Sequence, residues 1–309
     1  MSNGLVSLPR YADLPGGSAT GLFGSDDWLG RLNLLTPDRT RSAARLVTEG
    51  KVFSLNAPVL TWNIPHVLGD PNRTQPKHTV LQFGDHNDDI IDNWNPQSST
   101  QWDHFLHFPN PTTDKYYNGH HLGCTGVEVW AERGIVGRGV LLDVARWRIS
   151  VGRPLDPLKR DLITVADLAD CAAASGVALG EGTIVIIRTG WETFYRGLTG
   201  GGRARLPHGD IAFPGLEASE EMAAWLWDSG VAAVAADNAT LEAWPMLLTE
   251  YVLHEPLLTR LGIPIGELWL VDSLAEACRA ANRYEFFLTS APMNLAGGVS
   301  SPANALAIL

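Results

Sequence analysis

The sequence predicts an α/β fold in which a mixed β-sheet forms the core and helices flank it. In the second half of the chain, segments with strand-like and helix-like residue patterns alternate, whereas strand-like segments cluster in the first half. Regular alternation throughout would favour a doubly wound parallel sheet, so the clustering indicates a mixed sheet. The 309 residues contain no internal repeat and no low-complexity tract, which favours one large domain.

Two helix starts are predicted from their capping residues. Thr36 is a preferred N-cap residue, and Pro37 suits the first helical position because the N–H group that proline lacks would have no helical partner there. Thr164 and Asp167 have the spacing of a capping box, with aspartate in place of glutamate. We therefore expect one helix to begin at Pro37 and another to run from this box through residue 174.

The other elements are predicted from hydrophobic patterning. Residues 183–189 form a β-branched run, which is typical of a strand buried on both faces. Residues 216–229 have the spacing of an amphipathic helix. The remaining predictions are strands at 51–61, 139–144, 231–236, 284–290 and 305–309 and a helix at 274–283.

Composition excludes several classes of protein. Hydrophobic residues make up 45% and charged residues 18%, a globular profile that is neither disordered nor membrane-like. The net charge of −11 argues against non-specific binding to nucleic acid or to an anionic membrane. No segment reaches the ~20 apolar residues of a spanning helix, and no secretory signal is visible. Three widely spaced cysteines form no CxxC pair, so we expect a cytoplasmic protein.

Common catalytic motifs are missing. The sequence contains no phosphate-binding GxxxxGK[ST] loop, no GxGxxG after a strand and no GxSxG elbow. Residues 85–89 begin like a calcium loop, but Ile90 stands where the sharp turn needs glycine. We therefore interpret residues 85–89 as an acidic loop. His254 and Glu255 begin like a zincin helix, but Leu258 replaces the second histidine.

One segment places three metal-competent side chains close together. Gln101, Asp103 and His107 are spaced by two and four residues. If an extended start bends into a helical turn, Asp103 and His107 share a face, and Gln101 reaches the same side because strand residues two apart point the same way. An oxygen, a carboxylate and an imidazole that converge in this way suit Zn²⁺ or Mn²⁺. A structural or surface role for each residue is the alternative.

A second segment adds another imidazole and another carboxylate. His254 and Glu267 are separated by a Gly-Ile-Pro turn, so a histidine at the start of a short helix can meet a glutamate at the end of the next strand. The alternative is a capping histidine and a surface glutamate.

These residues resemble the cyclase-like metal-dependent hydrolases, a family that includes bacterial kynurenine formamidases and isatin hydrolases. The family pattern H-x-G-T-H-x-D-x-P-x-H aligns with residues 97–107, where Thr100, Asp103 and His107 agree. The family's C-terminal signature, H-x-x-L-L-x-x-G-I followed by a glutamate, is met between His254 and Glu267. Further similarities lie at residues 188–191, 236–237 and 297–302. The resemblance covers the chain from about residue 50 to its C-terminus.

The resemblance implies the swivelling β/α/β fold of this family and a divalent metal ion. The family's first two histidines are replaced by Gln97 and Gln101, which implies one ion per chain in place of two. Its ligands would be Asp103, His254 and Glu267, with Gln101 as a fourth. The neutral amide oxygen of Gln101 is a weaker donor than imidazole, which favours a harder ion such as Mn²⁺ over Zn²⁺.

The family resemblance also implies the chemistry. His107, the last histidine of the pattern, is the expected general base. The expected activity is hydrolysis of a small lactone, cyclic amide or formamide by a metal-activated water. A catalytically silent binding protein on the same fold and a metal-dependent cyclase or dehydratase are the alternatives. Trp62, Trp102 and Trp191 are candidates for the wall of a pocket for a flat substrate, with core packing as their alternative role.

Two expectations concern organisation. We expect residues 1–50 to form an N-terminal extension with one helix and residues 51–309 to form a single cyclase-like domain. Members of the resembled family are dimers or tetramers, so we expect a homodimer or homotetramer.

Overall fold

The computed structural model describes residues 8–63, 68–70, 72–198, 202–206, 211–247 and 251–309. The strands within these ranges are β1 (Val52–Ser54), β2 (Lys77–Phe83), β3 (His86–Asp92), β4 (Gln101–Asp103), β5 (Ile135–Leu142), β6 (Leu162–Ile163), β7 (Thr183–Ile187), β8 (Gly215–Leu216), β9 (Val231–Ala236), β10 (Ile265–Glu267), β11 (Glu285–Ser290), β12 (Ser300–Pro302) and β13 (Ala305–Ile308).

Helices surround these strands. The α-helices in the described ranges are α1 (Pro37–Ala44), α2 (Glu128–Arg133), α3 (Val144–Ser150), α4 (Val165–Ala174), α5 (Trp191–Gly197), α6 (Glu220–Asp228) and α7 (Asp272–Ala281). A single-turn π-helix spans Glu255–Arg260. Among the described residues, no helix combines the length and the apolar character needed to cross a membrane.

Both predicted capping sites are confirmed. The Thr36 side chain accepts a hydrogen bond from the Arg39 N–H at the start of α1. The Thr164 side chain accepts from the Asp167 N–H, and the Asp167 carboxylate accepts from the Thr164 N–H, which completes the capping box of α4. Local hydrogen bonds of this kind are set by residues three apart, so they can be read from sequence.

The predicted mixed sheet is confirmed. In the described part of the chain, nine strands form one sheet in the order β1-β13-β11-β5-β7-β9-β10-β4-β12. The strands β5, β7, β9 and β10 run parallel in the centre, and the outer pairs are antiparallel. Three of these four parallel strands, β7, β9 and β10, come from the second half of the chain, where strand-like and helix-like segments alternate. Such alternation is typical of parallel strands joined by helices.

Residues 85–89 do not form the predicted acidic loop, and the first strand is shorter than predicted. Most of the acidic stretch lies in β3, which pairs with β2 along its whole length in a separate two-stranded sheet. Gly84, at a φ of +60°, forms the turn between the two strands. The strand predicted at 51–61 is confined to Val52–Ser54, because pairing with β13 ends there. Pairing with another strand determines both that β3 forms and where β1 ends, and the composition of a segment does not indicate which strand it will pair with.

The core lies on both sides of the central strands, since every residue of β7 and of β9 is buried. Residues from the N-terminal part of the chain join the same core, among them Leu14, Leu32 and Leu35. The division of the chain at residue 50 stays a prediction.

Gly230 makes the turn from α6 into β9 possible. Its φ is +78°, and a Cβ atom there would lie 2.4 Å from the Glu181 backbone nitrogen. Gly152, which follows α3, has a similar φ of +73° but open space around it. Gly152→Ala is expected to lower the free energy of unfolding by about 1–2 kcal/mol, the strain of a left-handed residue. Gly230→Ala is expected to lower it by about 1–3 kcal/mol more, because the backbone must also move.

Urea unfolding of the two variants and the parent protein measures this difference. If Gly152→Ala and Gly230→Ala lower the free energy of unfolding equally, the close approach of Gly230 to Glu181 does not matter for stability.

Candidate metal centre

Strand β4 presents two candidate ligands on one face of the sheet. It lies between β10 and β12, with Gln101 opposite Glu267 and Asp103 opposite Ile265 in the β4–β10 pair. Alternation along the strand sends the side chains of Gln101 and Asp103 to one face and that of Trp102 to the other. All three residues of β4 are fully buried. The sheet therefore holds two polar side chains in a position closed to solvent.

The chain turns directly after β4, as predicted. The His107 N–H donates to the His104 carbonyl at 2.8 Å, and this turn brings the His107 ring back over the strand. His107 Nε2 lies 3.8 Å from Asp103 Oδ1. Its Nδ1 lies 3.5 Å from Gln97 Nε2.

The second predicted segment meets the first. His254 caps the π-helix, and Glu267 is the last residue of β10. His254 Nε2 lies 3.2 Å from Glu267 Oε1, so the expected encounter of this histidine and this glutamate occurs. Gln101 Nε2 donates to Glu267 Oε2 at 2.6 Å. All five predicted catalytic and ligand residues therefore lie in one cluster.

The donor atoms of this cluster suit a cation. Asp103, His107 and His254 each offer one ligand atom, and these three atoms lie within 4.8 Å of one another. Within the described ranges, both Asp103 carboxylate oxygens, Gln101 Oε1 and Glu267 Oε1 are buried without a hydrogen-bond partner. Buried polar oxygens without partners are rare and costly unless an ion or a water satisfies them. This donor set fits a divalent cation with oxygen and imidazole ligands.

The amide of Gln101 has a defined orientation. Its nitrogen donates to the Glu267 carboxylate, which can only accept when ionised. The amide oxygen is consequently left as the free acceptor, and it is one of the unpartnered buried atoms. Gln101 can therefore offer an oxygen to a cation, as predicted.

The pKa values in the cluster are shifted by burial and by neighbouring charge. Burial raises the pKa of Asp103 to about 6, and the Glu267 carboxylate adds to this shift while two imidazoles oppose it. Burial lowers the pKa of His107, and the Asp103 carboxylate partly offsets that effect. Burial would also lower the pKa of His254, but the hydrogen bond to Glu242 and the negative charges of Glu242 and Glu267 outweigh it and raise the pKa to about 10.

Sequence reasoning missed Glu242. Its side chain is 1% exposed, and Oε1 lies 2.7 Å from His254 Nδ1. The signal that could have found it is its position: it follows the buried strand β9 at the carboxyl end of the parallel strands, where functional side chains of α/β sheets collect.

The three predicted pocket tryptophans are all buried, but they lie in two places. Trp102 packs edge-on against Trp269 and donates through Nε1 to Ser290 Oγ at 2.9 Å, on the opposite face of β4 from the ligands. Trp62 and Trp191 belong to a second apolar cluster that includes Leu268, the residue after Glu267. The structure does not bring Trp102 to the metal centre, and the pocket role of the other two stays a prediction.

Fold and site together define an α/β protein with a buried cluster of carboxylate, amide and imidazole groups that could hold a cation. The family model described as "Putative cyclase" matches residues 53–243. This match covers more than half of the chain, so the chain belongs to the cyclase family. The resemblance found in the sequence is confirmed.

Solved structures share this fold. The crystal structure of a novel cyclase has 32% sequence identity and a TM-score of 0.78, and the match covers 94% of this chain and 99% of that one. An isatin hydrolase bound to the product analogue thioisatinate has 15% identity and a TM-score of 0.58, covering 84% of this chain and 92% of that one. Isatin hydrolase A from Ralstonia solanacearum has 17% identity and a TM-score of 0.59, and the match covers 83% of this chain and 91% of that one. No curated protein matches in sequence.

Proposed function

We propose that the protein is a metal-dependent hydrolase that opens a small lactone, cyclic amide or formamide. The observation that supports this proposal is the set of buried oxygen atoms without partners on Gln101, Asp103 and Glu267, next to the His254 imidazole. Stability alone gives no reason to bury these atoms unpaired, whereas a bound cation does. Solved isatin hydrolases share this fold, which is consistent with a hydrolase.

The residues divide into two roles. Asp103, His254 and Glu267 would hold the ion, with the Gln101 oxygen as a fourth ligand, and the bound ion would supply a Lewis acid able to polarise a carbonyl oxygen and to acidify a water. His107 would accept the proton that the attacking water loses, and the Asp103 carboxylate, 3.8 Å from Nε2, would stabilise the resulting positive charge. His107 also belongs to the close donor cluster, so whether the metal stays bound when His107 is replaced distinguishes a base from a ligand.

We also propose one ion per chain, with Mn²⁺ preferred to Zn²⁺, on the basis of the donor types. Gln97 and Gln101 offer amide oxygens where two imidazoles would support a second ion, and hard oxygen donors favour Mn²⁺. A cytoplasmic location and a homodimer or homotetramer complete the proposal. All three cysteines are free, as is usual in a reducing compartment.

Metal content tests the proposal directly. Untagged protein purified without chelator is expected to contain about one Mn or Zn per chain by mass spectrometry of the elements, and activity on lactones and formamides should vanish with chelator and return with Mn²⁺. Hydrolysis adds one water to the product mass, which separates it from cyclisation or dehydration. Two ions per chain would show that Gln97 and Gln101 replace histidine adequately. Protein that stays metal-free in excess Mn²⁺ and Zn²⁺ would instead favour a silent binding protein.

A further inference from the structure

We propose that Glu242 is a positioning residue that holds His254 in the orientation and tautomer needed to bind the metal. This inference rests on the proposed function, because it assigns a role within the same metal centre. It adds a residue that lies between β9 and the π-helix and contributes no atom to the donor cluster itself.

The contacts of Glu242 connect two parts of the site. One carboxylate oxygen, Oε1, lies 2.7 Å from His254 Nδ1. The other, Oε2, accepts the Leu253 N–H at 2.8 Å. Since the second bond is made to the backbone directly before His254, Glu242 fixes both the position of this residue and the rotation of its ring.

Glu242 is itself held firmly. Its carbonyl oxygen accepts hydrogen bonds from Thr240 Oγ1 at 2.8 Å and from Asn238 Nδ2 at 3.3 Å. The backbone of Glu242 also lies against Gly215, where a Cβ atom would come within 2.4 Å of the Glu242 oxygen. The carboxylate therefore approaches His254 from a rigid support.

The orientation decides which nitrogen faces the cation. An ionised carboxylate only accepts hydrogen bonds, so His254 must carry a proton on Nδ1. A ring that keeps only this proton can bind a cation through the electron pair of Nε2, and Nε2 is the atom that faces the donor cluster, 3.2 Å from Glu267 Oε1. A carboxylate behind a ligating histidine also strengthens the ligand, and its loss typically lowers metal affinity by about 10–100-fold.

Glu242→Gln tests this role with little change in size. The carboxylate of Glu242 accepts hydrogen bonds at both of its oxygens, whereas a glutamine amide has one oxygen and one NH₂ group. In Glu242→Gln, the NH₂ group therefore lies against the N–H of either His254 or Leu253 and cannot accept its hydrogen bond. Glu192→Gln is the matched control, because Glu192 is also 1% exposed and accepts two backbone N–H groups, from Val271 and Asp272. A purely structural buried carboxylate is expected to lower thermal stability without changing metal affinity.

Calorimetric titration of the metal-free full-length proteins with Mn²⁺ gives the readout. We expect the dissociation constant to rise about 10–100-fold in Glu242→Gln and to remain within about twofold in Glu192→Gln. An unchanged constant in Glu242→Gln, with tight binding by the parent, would overturn the role of Glu242 alone. Failure of the parent to bind Mn²⁺ or Zn²⁺ would overturn the proposed function as well.

A second measurement needs no variant and covers the case in which Glu242→Gln does not fold. Histidine ¹H–¹⁵N correlation spectra of the Zn²⁺-loaded parent report the tautomer of each ring. We expect His254 to keep its proton on Nδ1. A proton on Nε2 would contradict the positioning role.

Discussion

Asp103→Asn is expected to abolish metal binding and hydrolysis together while leaving the metal-free protein at least as stable as the parent. Asp103 is fully buried, and neither carboxylate oxygen has a hydrogen-bond partner among the described residues. Asparagine has nearly the same shape but no charge, so it removes the desolvation penalty of a buried carboxylate and breaks no hydrogen bond. A metal ligand that destabilises the metal-free fold is expected to give this combination, in which its replacement removes metal binding without loss of stability.

Thermal unfolding with and without Mn²⁺ measures both effects. A metal present at about 100 times its dissociation constant stabilises the parent by about 2.7 kcal/mol, whereas Asp103→Asn should show no metal-induced shift in Tm. The Glu192→Gln protein serves as the control for loss of a buried carboxylate outside the cluster, and it should retain the shift. A metal-induced shift of parental size in Asp103→Asn would remove Asp103 from the ligand set.

His107→Ala is expected to lower kcat by about 10²–10⁴-fold, the usual contribution of a positioned acid–base group, while the metal stays bound. The His107 ring is the most exposed of the cluster's donors, with 21% of the side chain accessible. A base with this exposure can exchange protons with solvent. Simultaneous loss of metal would instead identify His107 as a ligand, which its place in the close donor cluster also permits.

The pH profile gives an independent check on His107. A base must be unprotonated to act, so kcat/KM falls as pH decreases through its pKa in the free enzyme. Burial lowers the pKa of His107, and a nearby cation would lower it further. The acidic limb of the profile should therefore lie below the ordinary histidine value of about 6.5, and it should disappear in His107→Ala.

Much of the fold could be predicted because its signals are local. The β-branched run of β7 and the alanine- and valine-rich β9 are buried along their whole length, and apolar composition alone predicts that burial. Helix α4 begins where its capping box predicts. The sequence did not predict the hairpin of β2 and β3. Nearly all of its residues are exposed in the described structure, so neither strand has the buried face that an alternating hydrophobic pattern would indicate.

The sequence by itself determined the types of donor in this protein and their local spacing. Asp103 and His107 share a side of the chain because a strand ends in a turn between them, a relation that covers four residues. Only the tertiary structure decided which distant groups meet these residues. Gln101 contacts Glu267 across 166 positions, and that contact depends on the antiparallel register of β4 and β10. Register and crossover are set by the packing of the whole sheet, which is why the carboxylate behind His254 became visible only in the folded chain.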